Sequence, residues 1–411
     1  MASDAEQSPP RRRRRPPAEP RSPTVTTILD LDDNLILEIF LRLPSLPSLV
    51  RAALARRSFL AAVRSSPAFR RRFRALHPSP LLGIFFDSIG ADIPSFSPVR
   101  RRSDPDLAAA VRGADVFLTR LPYHDEACTG WRMAECRRGH LLLINRSTKQ
   151  IAAYNPLTRS LVLLPTPPDE ISHGRRGKFH PMGTFLLSSD EAPGLLRVVS
   201  VGHDKLRMRA AVFSSGTGEW QILPWSGPCP AQPSGKKYWL LLGEQANGNL
   251  YWAHAKQAYQ VVLDTTTLHF SFIDLPEHLK GRGDLYMTGV TNDGELCIVS
   301  VAELELTLYV WFRRADADGV EKWTVDEVIP LEGEILQATE GSSDDPMLLK
   351  VWAILDGVVY MTLHPPDVAL PCWFLSFCLE TRKLRKIVNR TFDNGVHAYI
   401  MAWPPSLVGN M

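Results

Sequence analysis

The chain is poor in the features that mark several large classes of protein. No run of about 18 apolar residues occurs, which excludes a membrane-spanning helix and argues against a membrane partner. The six cysteines, Cys128, Cys136, Cys229, Cys297, Cys372 and Cys378, lack paired spacing, so reduced thiols are expected and a disulfide framework is not. His124, Cys128, Cys136 and His140 are of metal-ligating types, but the gap between the two cysteines is not that of a zinc knuckle or ribbon, and no metal site is expected. No Gly-rich loop leads into a helix with a phosphate-binding Lys, and there is no nucleophile elbow, so no cofactor-binding or catalytic residues are assigned. The carboxylates Asp344 and Asp345 lie in a Gly-Ser-Ser-rich loop, where solvated charge is the plain reading. Net charge is only +3 over 411 residues, too little for a specific nucleic-acid binder.

Charge is nevertheless unevenly placed. The first eighty residues are rich in Arg and contain no Lys. Residues 1–24 hold Pro9, Pro10, Arg11 to Arg15, Pro16, Pro17 and Pro20 without an apolar stretch, so they are expected to form a disordered basic tail rather than a secretory signal. The arginine run fits a nuclear-import address or a solvated tail, and the expected location is the nucleus, the cytoplasm or both.

Residues 25–77 change to helical periodicity. Asp32 and Asp33 suit a helix N-terminus, and apolar residues follow at Leu35, Ile39 and Leu43 until Pro44. Pro47 opens a second helix carrying Leu49, Val50, Ala53 and Leu54. A third carries Phe59, Leu60 and Val63, and a fourth starts at Ser66 and Pro67 and presents Phe69, Phe73 and Leu76. So few residues bury too little surface to stand alone, so the bundle must lean on a partner or on the rest of the chain.

The run Leu31-Asp-Asp-Asn-Leu-Ile-Leu-Glu-Ile-Phe-Leu-Arg-Leu-Pro44, with the helices after it, resembles an F-box, most closely that of the plant families with a β-propeller behind it. The resemblance implies a non-catalytic substrate-recognition subunit of an SCF-type cullin-RING ubiquitin ligase. Leu31, Leu35, Ile39, Leu43, Pro44, Leu49, Val50, Leu54 and Phe59 would hold the SCF adaptor protein and, through it, a cullin. Three residues depart from the family pattern. Asp32 stands where Pro is usual, and Arg56 and Phe59 stand where Cys and Trp are usual, so that Arg56 puts a charge where a small buried group is expected.

Residues 78–411 are expected to form an all-β propeller. From Trp131 the period becomes alternating, and strands ending in an aliphatic residue and proline recur at Leu164-Pro165, Leu223-Pro224, Leu275-Pro276 and Ile329-Pro330. The spacings of 59, 52 and 54 residues lie near the period of kelch-type blades. Each unit divides into four short strands, with hairpin signals at Asn247-Gly248, Asp293-Gly294 and Asp356-Gly357. Five units, counting one that ends at Ile387-Val388, leave strand-like remnants at 81–86, 95–99, 116–121 and 398–403. The economical closure is a sixth, composite blade pairing the C-terminal strand with the N-terminal ones. Layout, including Ile151-Ala-Ala-Tyr-Asn-Pro-Leu-Thr158, resembles kelch-like F-box-associated propellers. The fold class is thus multidomain, a small three- or four-helix module followed by a six-bladed propeller.

Inter-blade loops at 166–181, 225–237, 277–285, 332–347 and 389–397 would share one face and offer a recognition surface for a target protein. Arg175, Arg176 and Lys178 make a basic sector, Glu332, Glu334, Glu340, Asp344 and Asp345 an acidic one, and Trp225 and Arg282 complete the candidate contacts. Trp239, Trp252, Trp311, Trp352 and Trp373 are read as packing between blades. Two rivals stay open: an F-box-like propeller protein uncoupled from any ligase, and an enzyme on a kelch-like propeller, which would need a convergent His, Tyr, Cys or carboxylate cluster at the ring centre.

Overall fold

Six sheets arranged in a ring follow a short helical module. The computed structural model describes residues 27–28, 31–99, 104–122, 130–187, 195–229, 240–256, 258–281, 286–302, 306–316, 318–339, 347–365, 367, 370–391 and 394–408. The 1–24 tail, His124, Cys128, Trp239, Arg282, Glu340, Asp344 and Asp345 lie outside them.

Helix α1 (Asp33–Phe40) starts where the Asp32 carboxylate accepts the Leu35 N–H at 2.8 Å, the capping expected of an Asp at that position. It ends earlier than the apolar spacing suggests, with Leu41 to Leu43 in a turn. Helices α2 (Leu46–Leu54), α3 (Arg57–Ser65) and α4 (Pro67–Leu76) follow, the last capped by Ser66 Oγ on Phe69 N–H at 3.2 Å. Arg70 donates to the Val63 carbonyl (3.0 Å) at the end of α3, placing a cation at the negative end of that helix. Arg56 is exposed and precedes α3 in extended backbone, so its guanidinium meets water and not a buried pocket.

Five blades are complete antiparallel sheets of four strands. They are β3 (Trp131–Arg137) to β6 (Ser160–Leu164), β7 (His180–Leu187) to β10 (Glu219–Ile222), β11 (Leu240–Ala246) to β14 (Phe270–Asp274), β15 (Tyr286–Val290) to β18 (Glu321–Pro330), and β19 (Leu348–Leu355) to β22 (Leu384–Arg390). In the third blade the expected division holds, with β12 at Asn249–His254 and β13 at Tyr259–Asp264. Asn247 and Gly248 take φ of 48° and 75°, as do Asp356 and Gly357 at 47° and 74°, the left-handed pair a two-residue hairpin requires. Leu164, Leu223 and Leu275 are buried at or just past the ends of outer strands, and the proline that follows each has no N–H to extend the ladder.

The sixth blade is composite. β23 (Gly395–Ile400) pairs antiparallel with β1 (Leu81–Asp87), and β1 with β2 (Ser95–Pro98), in the order β2-β1-β23. The C-terminal strand therefore supplies the innermost strand, beside β3 of the first blade. Residues 116–121 are not a strand. The Asp115 carboxylate accepts from Thr119 N–H (3.0 Å), Thr119 Oγ1 (2.8 Å) and the Tyr154 hydroxyl, which folds this stretch into turns against the first blade. Ahead of it lies helix α5 (Pro105–Gly113), whose Asp106 accepts from Ser48 Oγ (2.9 Å) and pairs with Arg51 (2.8 Å) on α2.

One hydrophobic core joins the helices to the ring. Ile36, Phe40, Leu49, Phe59, Val63 and Phe73 are continuous with Phe85, Trp131, Tyr154 and Tyr399. The segment after β23 fastens the two: Trp403 meets Phe73 edge-on at 5.9 Å and lies 4.9 Å from the Arg74 guanidinium, and Arg64 donates to the Ser406 carbonyl at 2.8 Å. Strand polarity then fixes the faces. β23 enters from the inter-blade connection and leaves toward the helices, so the helical module sits at the end of the ring opposite the inter-blade loops.

Candidate functional site

Two surfaces at opposite ends of the ring carry the candidate residues. On the helical side, Leu35 and Ile39 stand four apart on α1 and are 51% and 37% exposed, and Leu54, four residues after the half-buried Val50 on α2, is 53% exposed. Large aliphatic side chains at i and i+4 that face water, while Ile36, Phe40 and Leu49 fill the core, give these helices two apolar faces each. Leu31 and Leu43 are half-buried and Pro44 is exposed.

Leu49 and Phe59 do not belong to this surface. Leu49 has no exposed area, and Phe59 is buried edge-on to Phe40 at 5.6 Å, so both are core residues that no partner can touch while the module is folded. Leu49→Ala is expected to cost about 2–5 kcal/mol of stability through the cavity it leaves, read as a lowered denaturation midpoint. An unchanged midpoint would contradict this placement.

At the other end, the loop after β6 contains a 3-10 turn, Asp169–Ser172, and carries Arg175, Arg176 and Lys178 exposed, with the Arg175 guanidinium donating to Ser172 Oγ at 3.0 Å. Trp225 differs from its expected role. It is half-buried, its Nε1 donates to the His173 carbonyl at 2.9 Å, and its ring meets Phe179 edge-on at 6.2 Å with the Arg207 and Arg209 guanidiniums 4.6 and 5.4 Å from its centre. It holds the loop and is not a free anchor. Glu334 is exposed on helix α6 (Glu332–Thr339), which occupies a stretch expected to be loop. Its first-turn carboxylates Glu332 and Glu334 suit a helix N-terminus.

The innermost strands carry charged groups that sequence reasoning passed over. Each such strand has one edge facing the ring axis, where its N–H groups lack ladder partners. Glu135 accepts the Leu186 N–H of β7 at 2.6 Å, and Glu244 on β11 accepts the Thr288 N–H of β15, so carboxylates stitch neighbouring blades. Arg137 reaches from β3 to the Gln245 carbonyl at 3.1 Å. For Glu244 the available signal was a lone charge in its strand, whereas β3 carries Arg132, Glu135 and Arg137 and offers no such mark.

Burial pushes Glu244 up from 4.5 to about 8. Its folded pKa lies above the unfolded one, so its contribution to stability is complete below 4.5 and is lost as pH rises through about 8. Glu244→Gln keeps an acceptor for Thr288 and cannot ionise. The wild type should therefore lose melting temperature relative to this variant across that window, and parallel pH profiles would overturn the assignment.

Elsewhere, Trp252 and Trp311 are fully buried between strands, and Trp352 and Trp373 partly so. Cys136 and His140 flank the hairpin between β3 and β4 (His140–Asn145), and Cys136, Cys229, Cys297, Cys372 and Cys378 are free thiols. Among the described residues no group of three or more His, Cys, Asp or Glu is placed to hold a metal ion, and no helix is long and apolar enough to cross a membrane. A cleft of about 360 Å³ opens beside Pro78 between the fourth and fifth blades, where Arg314 pairs with Glu295 (2.5 Å) and Asp326 (2.8 Å) and Arg382 with Glu327.

The family model described as F-box protein AT5G49610-like, beta-propeller, matches residues 132–407. No curated protein matches the chain. Similar solved structures include a nidogen/laminin complex (12% identity, 78% of this chain and 99% of that one, TM-score 0.35) and an oligogalacturonate lyase from Vibrio parahaemolyticus (10% identity, 61% and 62%, TM-score 0.33). YCF48 bound to D1 peptide is similar at 11% identity over 64% and 69%, with a TM-score of 0.33.

Proposed function

Because this chain belongs to the family of F-box proteins with an AT5G49610-like β-propeller, we propose that it is a substrate receptor of an SCF-type cullin-RING ubiquitin ligase. The helices hold the adaptor, and through it a cullin, and the inter-blade loops hold a target protein. It performs no chemistry of its own and needs no cofactor. Its contribution is proximity, since a bound target lysine near the conjugating enzyme reacts at a raised effective concentration. It works in the nucleus, the cytoplasm or both.

The observation that carries this reading is the continuity of the core from Phe40 and Phe73 through Tyr399 into the ring. A receptor that must present its target at a set distance from the adaptor gains from a junction without a hinge. Asp32 and Arg56, the departures from the F-box pattern, do not count against it. Asp32 caps α1 through its side chain, and Arg56 points into solvent beside the apolar faces.

The test is direct association of purified full-length protein with the SCF adaptor, followed by assembly onto the cullin. A stable stoichiometric complex is the expected result. Absence of binding at micromolar concentrations would leave a propeller binding protein uncoupled from the ligase.

A further inference from the structure

The inter-blade face carries a cationic site whose backbone is fixed in advance. Asp204, after β8 (Arg197–His203), has no exposed area, and its carboxylate accepts the N–H groups of Arg176, Leu206 and Arg207, each at 2.8 Å, and the Arg207 guanidinium at 2.7 Å. Burial alone would raise its pKa, and these hydrogen bonds outweigh it, so Asp204 lies below its ordinary value and stays ionised. Arg207 also donates to the Gly174 carbonyl (2.8 Å), and Arg209 to the carbonyls of His173 (2.9 Å) and Leu223 (2.8 Å). Connections from three positions around the second blade are thereby locked together, and Arg175, Arg176, Lys178 and Lys205 project outward from them.

The buried Asp204 carboxylate is engaged by Arg207, and no ion pair among the described residues neutralises Arg176, Lys178 or Lys205. Asp169 and Glu170, on the 3-10 turn that precedes Arg175, form no ion pair with these cations among the described residues. An anionic partner meeting this site would find cations whose loop has already lost its freedom, which lowers the entropic cost of binding.

Resting on the receptor reading above, we propose that the target is recognised through an acidic, carboxylate-rich segment of its chain, bound at Arg175, Arg176, Lys178 and Lys205. Two observations favour a peptide over a nucleic acid. The half-buried Trp225 ring already stacks with the Arg207 and Arg209 guanidiniums and meets Phe179 edge-on, so it is engaged within the loop and does not stand out as a stacking platform for a base. The same face carries exposed Glu332 and Glu334 on α6, which would repel a phosphate backbone running across the ring. An acidic segment of limited length, oriented away from α6, satisfies both sectors.

The test uses full-length protein and a fluorescein-labelled deca-glutamate peptide, followed by anisotropy at low and physiological salt. Wild type should bind with an affinity that falls as salt rises, and the variant R175E/R176E/K178E should lose about tenfold or more while keeping its near-UV circular dichroism. E332K/E334K should bind as tightly as wild type or tighter. Equal binding by wild type and the triple variant, or none by wild type at low salt, would overturn the proposal. Tighter binding of an oligo-deoxythymidine of matched charge, lost in the same variant, would also overturn it by making the site one for nucleic acid. Adaptor association is measured in parallel: a triple variant that loses the peptide and keeps the adaptor supports both readings. Loss of the adaptor by every form with the peptide retained removes only the ligase link.

Discussion

Protein ending at Asn394 is expected to fail to fold into a soluble monomer, although the deletion removes no complete blade. The lost segment contains β23, the innermost strand of the composite blade, and with it the pairing along β1 from Leu81 to Asp87. Every residue of β1 is buried, so the deletion bares a hydrophobic strand edge of the kind that pairs with other chains. It also removes buried Tyr399, Met401 and Leu407 from the core shared by helices and ring. Burying one large apolar side chain is worth about 1.5–3 kcal/mol, so three of them approach the whole of a stability of about 5–15 kcal/mol. Size-exclusion chromatography and thermal unfolding decide the matter. A monomeric truncated protein with the full-length melting temperature would show that ring closure does not depend on β23.

The ring was legible because its repeats state themselves locally. Asn247-Gly248 and Asp356-Gly357 set hairpins through backbone angles that few other pairs adopt, and the aliphatic-proline endings mark where four of the five outer strands stop. The composite blade followed from an argument about edges that needs no particular side chain, and β23 lies against β1 as that argument requires. What escaped was set by tertiary contacts. Residues 116–121 alternate like a strand, but Asp115 spends its carboxylate on Thr119 and Tyr154 and bends the chain. Leu49 and Phe59 look like their neighbours in the apolar pattern. Which face of a small helix points inward depends on what it packs against, and here α2 and α3 turn these two residues toward Phe40 and the ring. The charge sectors were readable as composition, and the turn Asp204 makes with the N–H groups of Leu206 and Arg207 is local, whereas its bond to the Arg176 N–H, which ties the basic loop to that turn, joins residues too far apart for any local pattern to reveal.

Replacing Leu35 and Ile39 together by Asp is expected to abolish adaptor binding while leaving the protein as stable as before. Both side chains face water, so their loss opens no cavity, and exposed substitutions away from special contacts usually shift stability by less than about 0.5 kcal/mol. Binding answers differently. Central apolar anchors commonly cost about 2 kcal/mol or more each when truncated, and a carboxylate forced into an apolar groove adds its own desolvation cost. The combined loss is roughly a thousandfold in affinity from truncation alone, taking about 1.4 kcal/mol per factor of ten. Leu49→Ala supplies the contrast, because it should lower the denaturation midpoint and weaken binding only in proportion to the unfolded fraction. Titration calorimetry with the adaptor, beside thermal unfolding of each variant, separates the two effects. Undiminished affinity in the Leu35→Asp, Ile39→Asp protein would move the adaptor surface off α1. A matching drop in melting temperature would show that these side chains serve the fold instead.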